Sequence, residues 1–223
     1  MHHWIIFLAQ KIAWIKGKIF LNLFFRVRVE GREYLIGLKP PCIVASNHRT
    51  YLDHFFILSA LPWQSPLVPI RVMARDGLYR HILLRWWLNL LGAFPARKGG
   101  GVDISLEKPT ALLKKGYAVG IYPEGKRVHD ALFGEPRRGA ALLALRTGAL
   151  ILPVALIGFE GGMKLRHWLT RASVTIRFGK PFLLTEAMER ATDPHCADDD
   201  PLAWRGASFI MEQIISLYKK ESM

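Results

Sequence analysis

An α/β fold, with a largely parallel central sheet flanked by helices, is what this sequence predicts. Three observations carry that expectation. Short apolar runs alternate with helix-length segments through most of the chain, the pattern of a parallel sheet with helices on its faces. The run Cys42-Ile43-Val44-Ala45-Ser46 is apolar nearly throughout, as a strand buried on both faces is. Glycines sit where helices should stop, at Gly116 and Gly148.

The segment from Trp4 to Val27 is the most apolar stretch. A spanning helix needs about 20 mostly apolar residues. Lys11, Lys16 and Lys18 interrupt this one, and its charge-free pieces, Trp4 to Gln10 and Ile19 to Phe25, are too short to cross. No small-residue cleavage site follows, which argues against a signal peptide. On a helix Lys11, Lys18 and Asn22 share a stripe, with Arg26 one turn beyond. Trp4, Phe7, Trp14 and Phe20 are aromatic anchors of the headgroup type. Residues 1–28 are therefore expected to form an N-terminal amphipathic helical arm that binds a membrane surface, monotopic rather than spanning. The competing readings are a helix packed on the domain and a true span. Gly17 is a point at which the arm could divide in two.

After Glu30 the strands and helices follow in turn. Cys42 to Ser46 is a strand, and a helix from about Thr50 to Ala60 stops before Pro62. Tyr79 to Leu88 is basic and aromatic, a second stretch suited to the same surface as the arm. Ser105 is expected to cap a helix from Leu106 to Lys115, followed by a strand from Ala118 to Tyr122. A helix from Arg138 to Thr147 precedes a strand from Leu150 to Ile157. Pro153 in that run points to an edge or a kinked strand end. Val174 to Phe178 alternates like a strand with one wetter face, and Leu202 to Lys220 is a closing amphipathic helix. Asp198, Asp199 and Asp200 read as a solvated loop. There is no internal repeat, low-complexity tract or second-domain linker.

Composition narrows the function. Apolar residues are 51% of the 223, which excludes a disordered chain. A formal charge of +13 predicts an anionic partner: nucleic acid, a phospholipid surface or a phosphorylated substrate. Long aliphatic side chains stand between the basic residues, and base stacking gains nothing from Leu or Ile, so lipid is preferred over nucleic acid. Two cysteines, Cys42 and Cys196, rule out a disulfide scaffold and a four-cysteine zinc site; both are expected as free thiols.

Chemistry is expected at strand ends, where ligands gather in open parallel sheets. His48 follows a strand, and Asp53 lies five positions later. On one continuous helix those side chains would point about 140° apart. They meet only if His48 precedes the helix and Asp53 sits in its first turn. A His oriented by a carboxylate removes a proton from a hydroxyl, the acid fixing the tautomer and offsetting the imidazolium. The motif places no Ser or Cys as a nucleophile, so the hydroxyl is read as the substrate's own. A capping box between Thr50 and Asp53, with His48 a mere loop residue, is the plainer alternative. Gly92 to Gly101 sets Arg97 and Lys98 beside a glycine run, where they could hold a phosphate or form only a surface loop. Tyr122-Pro123-Glu124-Gly125-Lys126-Arg127 puts a carboxylate and two cations in a turn after a strand.

Taken together, in order and spacing, these segments resemble the glycerolipid acyltransferase family. His48 and Asp53 match the family's His and Asp with four residues between. Gly92, Phe94 and Arg97 match its second block, Tyr122 to Arg127 its Phe-Pro-Glu-Gly-Thr-Arg block, and Pro153 its fourth. Arg138-Gly139-Ala140 and Phe178-Gly179-Lys180-Pro181 also look like family positions. The resemblance runs from about Ile43 to Phe182. It implies that residues 29–223 form an acyltransferase domain with a glycerol-3-phosphate acyltransferase-like fold. The implied reaction moves a fatty acyl group from acyl-CoA or acyl-carrier protein to the free hydroxyl of 1-acyl-glycerol-3-phosphate, with no metal or tightly held cofactor. His48 and Asp53 would be catalytic, and Arg97, Glu124, Gly125 and Arg127 would bind the acceptor, the arginines facing phosphate. The implied partners are a phospholipid membrane and these substrates, with no nucleic acid, at the cytoplasmic face of the cell membrane. Lys126 stands where the family has Thr, which leaves room for another lyso-lipid acceptor.

Overall fold

The computed structural model describes residues 3–96, 101–128, 132–159, 163–190 and 201–220. Helix α1 (His3–Phe24) runs into strand β1 (Arg26–Glu30). Next come β2 (Cys42–Ser46), α2 (Asp53–Ala60), β3 (Ile70–Ala74), α3 (Ile82–Leu90) and β4 (Ala93–Pro95). They lead to α4 (Gly101–Lys114), β5 (Ala118–Ile121), α5 (Gly139–Thr147) and β6 (Leu150–Ile157). The chain closes with α6 (Leu165–Leu169), β7 (Ser173–Phe178), α7 (Leu184–Arg190) and α8 (Pro201–Lys219). Among the described residues the strands form one sheet in the order β1-β7-β6-β2-β5-β3-β4. Only β6 and β7 run antiparallel; the other neighbours are parallel. The α/β class with a largely parallel sheet is the one expected.

Strand periodicity builds two cores. Along β2, Cys42 and Val44 point to one face, where Phe25, Phe56 and Leu58 bring α1 and α2 against them. Ile43 and Ala45 point to the other, against Leu142, Leu143, Ile210 and Ile214 from α5 and α8. Each fully buried Val, Ile, Leu or Phe side chain among them stabilises the fold by about 1.5–3 kcal/mol. Gly148, at φ 61°, ends α5 in the left-handed region that glycine tolerates.

Several boundaries differ from expectation, each for a local reason. α1 is unbroken at Gly17, because Ile6, Gln10 and Leu21 pin it at helical spacing along one side. Gln10 does this with three hydrogen bonds: Nε2 donates to Ile70 O (2.7 Å) and Leu91 O (2.9 Å), and Ile70 N donates to Oε1 (3.0 Å). The arm boundary expected after residue 28 falls inside β1, whose Arg26–Arg28 pair with Ser173–Thr175 of β7. α2 begins at Asp53 rather than Thr50: Phe56 N donates to Leu52 O at 3.0 Å, and ahead of it the Arg49 and Thr50 amides donate to the Asp53 carboxylate. α4 begins at Gly101, so Ser105 is inside the helix, donating from Oγ to Gly101 O at 3.1 Å, and is not its cap.

Pro153 is not at an edge. β6 lies third in the sheet, and Ala45 of β2 is the partner of Pro153. The residue sits where the antiparallel ladder to β7 is interrupted. Gly179 N donates to Pro153 O at 2.8 Å, and Ile151 exchanges hydrogen bonds with Phe182 beyond. The missing N–H therefore costs no ladder bond to β7.

Candidate active site

β2, β5, β3 and β4 are mutually parallel neighbours, so their carboxyl ends share one edge. The register Ala45↔Ile121 sets the residues after β2 beside those after β5. Asn47 prolongs the sheet there: Nδ2 donates to Leu156 O (2.9 Å) and Leu156 N donates to Oδ1 (2.8 Å), as a backbone group would. His48 is thereby delivered to the sheet edge, and its carbonyl accepts from Val128 N at 3.0 Å.

Asp53 is 0% exposed and its carboxylate is saturated. Arg49 N (2.6 Å) and Thr50 N (2.9 Å) donate to it, Thr50 Oγ1 donates at 2.6 Å, and His48 Nδ1 lies 2.7 Å away. A carboxylate only accepts, so Nδ1 carries the proton and Nε2 is left with its lone pair. The His48 side chain is 22% exposed, open enough to meet a substrate. The pair therefore meets as the spacing required, with His48 ahead of the helix and Asp53 at its first residue. Thr50 does not cap α2, whose N-cap is Leu52 without a side-chain cap bond; its hydroxyl accepts from Leu52 N at 3.0 Å in the turn before the helix, and the carboxylate it donates to also orients the imidazole.

Tyr122 stacks on His48 with ring centres 4.0 Å apart and 13° between planes, fixing the second face of the imidazole. Burial, and then the Asp53 charge, push its phenol well above the usual range, so it stays neutral. Neither this contact nor the Asn47 pairing was read from the sequence; the one available signal was an aromatic residue directly after an apolar strand.

Glu124 departs from its expected place in the acceptor site. It is 1% exposed and lies behind His48. His48 N donates to Oε2 at 3.0 Å and Gly134 N to Oε1 at 3.2 Å, so both oxygens hold main chain. Burial raises its pKa, against the amides of His48 and Gly134 and the Arg49 charge, which lower it. Gly125 does face outward, at φ 66°. Arg127 is turned onto Tyr51, with its guanidinium 3.5 Å from the ring centre and Nη2 donating to Oη at 2.7 Å. Arg97 lies outside the described residues. The other residues of that block are structural: Gly92, at φ 81°, leaves room where a β-carbon would lie 2.7 Å from Gln10 Nε2, and Phe94 is buried in β4.

A cleft of about 450 Å³ opens beside Tyr122, walled by Met73, Leu106 and Ile121 and bordered by Arg137 and Arg138. Among the described residues no cluster of three His, Cys, Asp or Glu is placed to hold a metal. The cleft meets the His48–Asp53 pair through Tyr122, and an imidazole with one free nitrogen on a fully buried carboxylate can deprotonate an alcohol brought to it.

A model of the family described as Acyltransferase matches residues 26–157. The chain belongs to that family. Relatives within it include a chloroplastic 1-acyl-sn-glycerol-3-phosphate acyltransferase of Arabidopsis thaliana, 29% identical over 66% of this chain and 40% of that protein. The 1-acyl-sn-glycerol-3-phosphate acyltransferase of Bacillus subtilis is also 29% identical, over 66% of this chain and 71% of that one. The chain thus spans well under two thirds of the plant relative's length. The crystal structure of PlsC, the 1-acyl-sn-glycerophosphate acyltransferase of Thermotoga maritima, superposes with a TM-score of 0.66 over 96% of this chain and 81% of that one, at 20% identity. At that identity the likeness bears on the fold, which the two share.

Proposed function

We propose that this Acyltransferase-family chain transfers a fatty acyl group from acyl-CoA or acyl-carrier protein to the free hydroxyl of 1-acyl-glycerol-3-phosphate, giving phosphatidic acid. The observation that carries this reading is the 2.7 Å contact between a partly open His48 and a fully buried Asp53 beside an apolar cleft. His48 Nε2 takes the proton from the acceptor hydroxyl as its oxygen attacks the thioester carbonyl. The C–S bond of the tetrahedral intermediate then breaks, and the leaving sulfur takes the proton back from Nε2. Asp53 holds the ring and offsets its charge throughout; Tyr122 and Glu124 position it. No covalent enzyme intermediate is required.

The substrate is a membrane lipid, and the outer surface of the chain suits one. Trp4, Leu8, Ile12, Ile15, Ile19 and Leu23 form an exposed stripe along α1, and Ile82, Leu83, Trp86 and Trp87 are exposed on α3. Among the described residues no helix is long and apolar enough to cross a membrane. The proposal is therefore monotopic attachment to a phospholipid surface, at the cytoplasmic face where the thioester donors are. Lys126, exposed beside the cleft, supports a second acceptor class, other lyso-lipids.

The test is free-thiol release from acyl-CoA with and without lysophosphatidic acid, followed by mass analysis of the lipid. Acceptor-dependent release that falls about 10²–10⁴-fold in His48→Ala is expected. Unchanged release in a folded His48→Ala protein would refute the mechanism, and lipid binding without thiol release would point to a non-catalytic module.

A further inference from the structure

Two arginines border the cleft that the roles above leave unused, and they are held differently. Arg138 lies with its guanidinium 5.3 Å over the Trp204 ring. Arg137 is tied by its backbone to the turn after β5, donating from N to Pro123 O at 2.8 Å. Its side chain then crosses Gly125 so closely that a β-carbon there would lie 2.6 Å from Arg137 Cδ and 2.9 Å from Nε. The glycine is needed for this passage as well as for its own φ of 66°. Among the described residues no hydrogen bond or ion pair engages the Arg137 guanidinium, whereas that of Arg127 is spent on Tyr51.

We infer that Arg137 holds the phosphate of a phosphate-bearing substrate in this cleft, the part that motif spacing assigned to Arg127. The inference rests on the acyl-transfer reading of the same site. A cation at the border of a cleft walled by Met73, Leu106 and Ile121 suits a ligand with an anionic head and a long aliphatic part. The planar guanidinium gives two parallel donors for phosphate oxygens, and the Pro123 tether and the Gly125 passage hold it beside His48's partner Tyr122. Two substrates carry such a phosphate, the lyso-lipid acceptor and the thioester donor, and the arginine's chemistry is the same for both.

Equilibrium binding to the full chain in detergent, by titration calorimetry, tests this without turnover. One arm compares lysophosphatidic acid with the monoacylglycerol of the same chain. The other compares acyl-CoA with the acyl thioester of N-acetylcysteamine. Wild type is expected to prefer the phosphate-bearing member in at least one arm, and that arm names the source. Arg137→Gln should reduce the preference about 10- to 100-fold, the loss expected for a charge-assisted hydrogen bond, with the phosphate-free ligand unaffected. Arg137→Lys should keep part of it. Gly125→Ala, which pushes the arginine aside, should cause the same loss, and the double variant no more than either alone. The inference is overturned if wild type shows no preference in either arm, if Arg137→Gln keeps it, or if Arg127→Ala alone abolishes it. A His48→Ala protein that retained acyl transfer would sink the catalytic reading yet leave these ratios unchanged, so the two failures are distinguishable.

Discussion

Around Asp53 a carboxylate is buried out of reach of water, and three donors besides His48 are spent on it. On the outer side of α1, six large apolar side chains at helical spacing face outward instead. Both places invert the usual partition of polar and apolar groups, and each inversion is costly unless something answers it. At Asp53 the protein itself answers, with hydrogen bonds, and the surplus is an oriented imidazole. On α1 no packing among the described residues answers, while the opposite side of the same helix is packed through Ile6, Gln10 and Leu21. The first region is answered by hydrogen bonds within the chain; the second is the face that the proposed attachment to a phospholipid surface would cover.

Substitutions separate the two regions. The largest effect should come from Asp53→Asn. An amide would turn an N–H toward donors it cannot accept from, and His48 would lose its fixed tautomer. Thiol release should fall about 10²–10⁴-fold, and thermal unfolding should reveal destabilisation of about 1.5–3 kcal/mol for each charge-assisted bond lost. Activity near wild type would mean that the buried carboxylate serves only the fold.

Glu124→Gln comes next, at about 1–3 kcal/mol, because one of the two backbone donors would face an amide N–H. Its pH signature has a definite sign. Burial raises the carboxyl's folded pKa, so its contribution is complete below the ordinary carboxylate value of about 4.3 and is lost as pH rises through the raised one. Denaturant unfolding from acid to neutral pH should show that decline in wild type and a flatter profile in Glu124→Gln. Equal slopes would remove Glu124 from the account.

The smallest effect belongs to the outer face. Leu83→Glu, at a side chain 82% exposed, should leave the unfolding midpoint unchanged while weakening partition onto anionic vesicles about tenfold. Leu23→Glu on α1 should do the same. Sedimentation with vesicles reads both, and unaltered partition would show that the exposed stripe has another use. Point charges are the cleaner tool here, because deleting residues 1–28 would also remove Gln10 and three residues of β1.

Much of the fold was legible because its signals are local. β5 and β6 announce themselves as apolar runs, α5 by the glycine after it, and β6 was placed to the residue. β1, β3 and β4 were not, since Arg26–Glu30 carries three charges, Ile70–Ala74 includes Arg71, and Ala93–Pro95 has only three residues. Strands of that kind are defined by their neighbours. At the site, the five-residue spacing told that His48 and Asp53 could meet. It could not tell that Thr50 would help hold the acid through both its amide and its hydroxyl, nor that Glu124 would turn inward.

By itself, then, the amino-acid order determined the class of fold, the acid–base pair and the surplus of positive charge, since each is set by residue type and short-range spacing. Tertiary structure decided what each polar group faces. Glu124 is a clamp on main chain and Arg127 a partner of Tyr51, because the turn after β5 closes against that after β2. Arg137, ten residues further along, arrives at the cleft through a backbone bond to Pro123 and the bare α-carbon of Gly125. Which side chain reaches a ligand depends on how the loops close over the sheet edge, and that closure is a property of packing rather than of sequence neighbours.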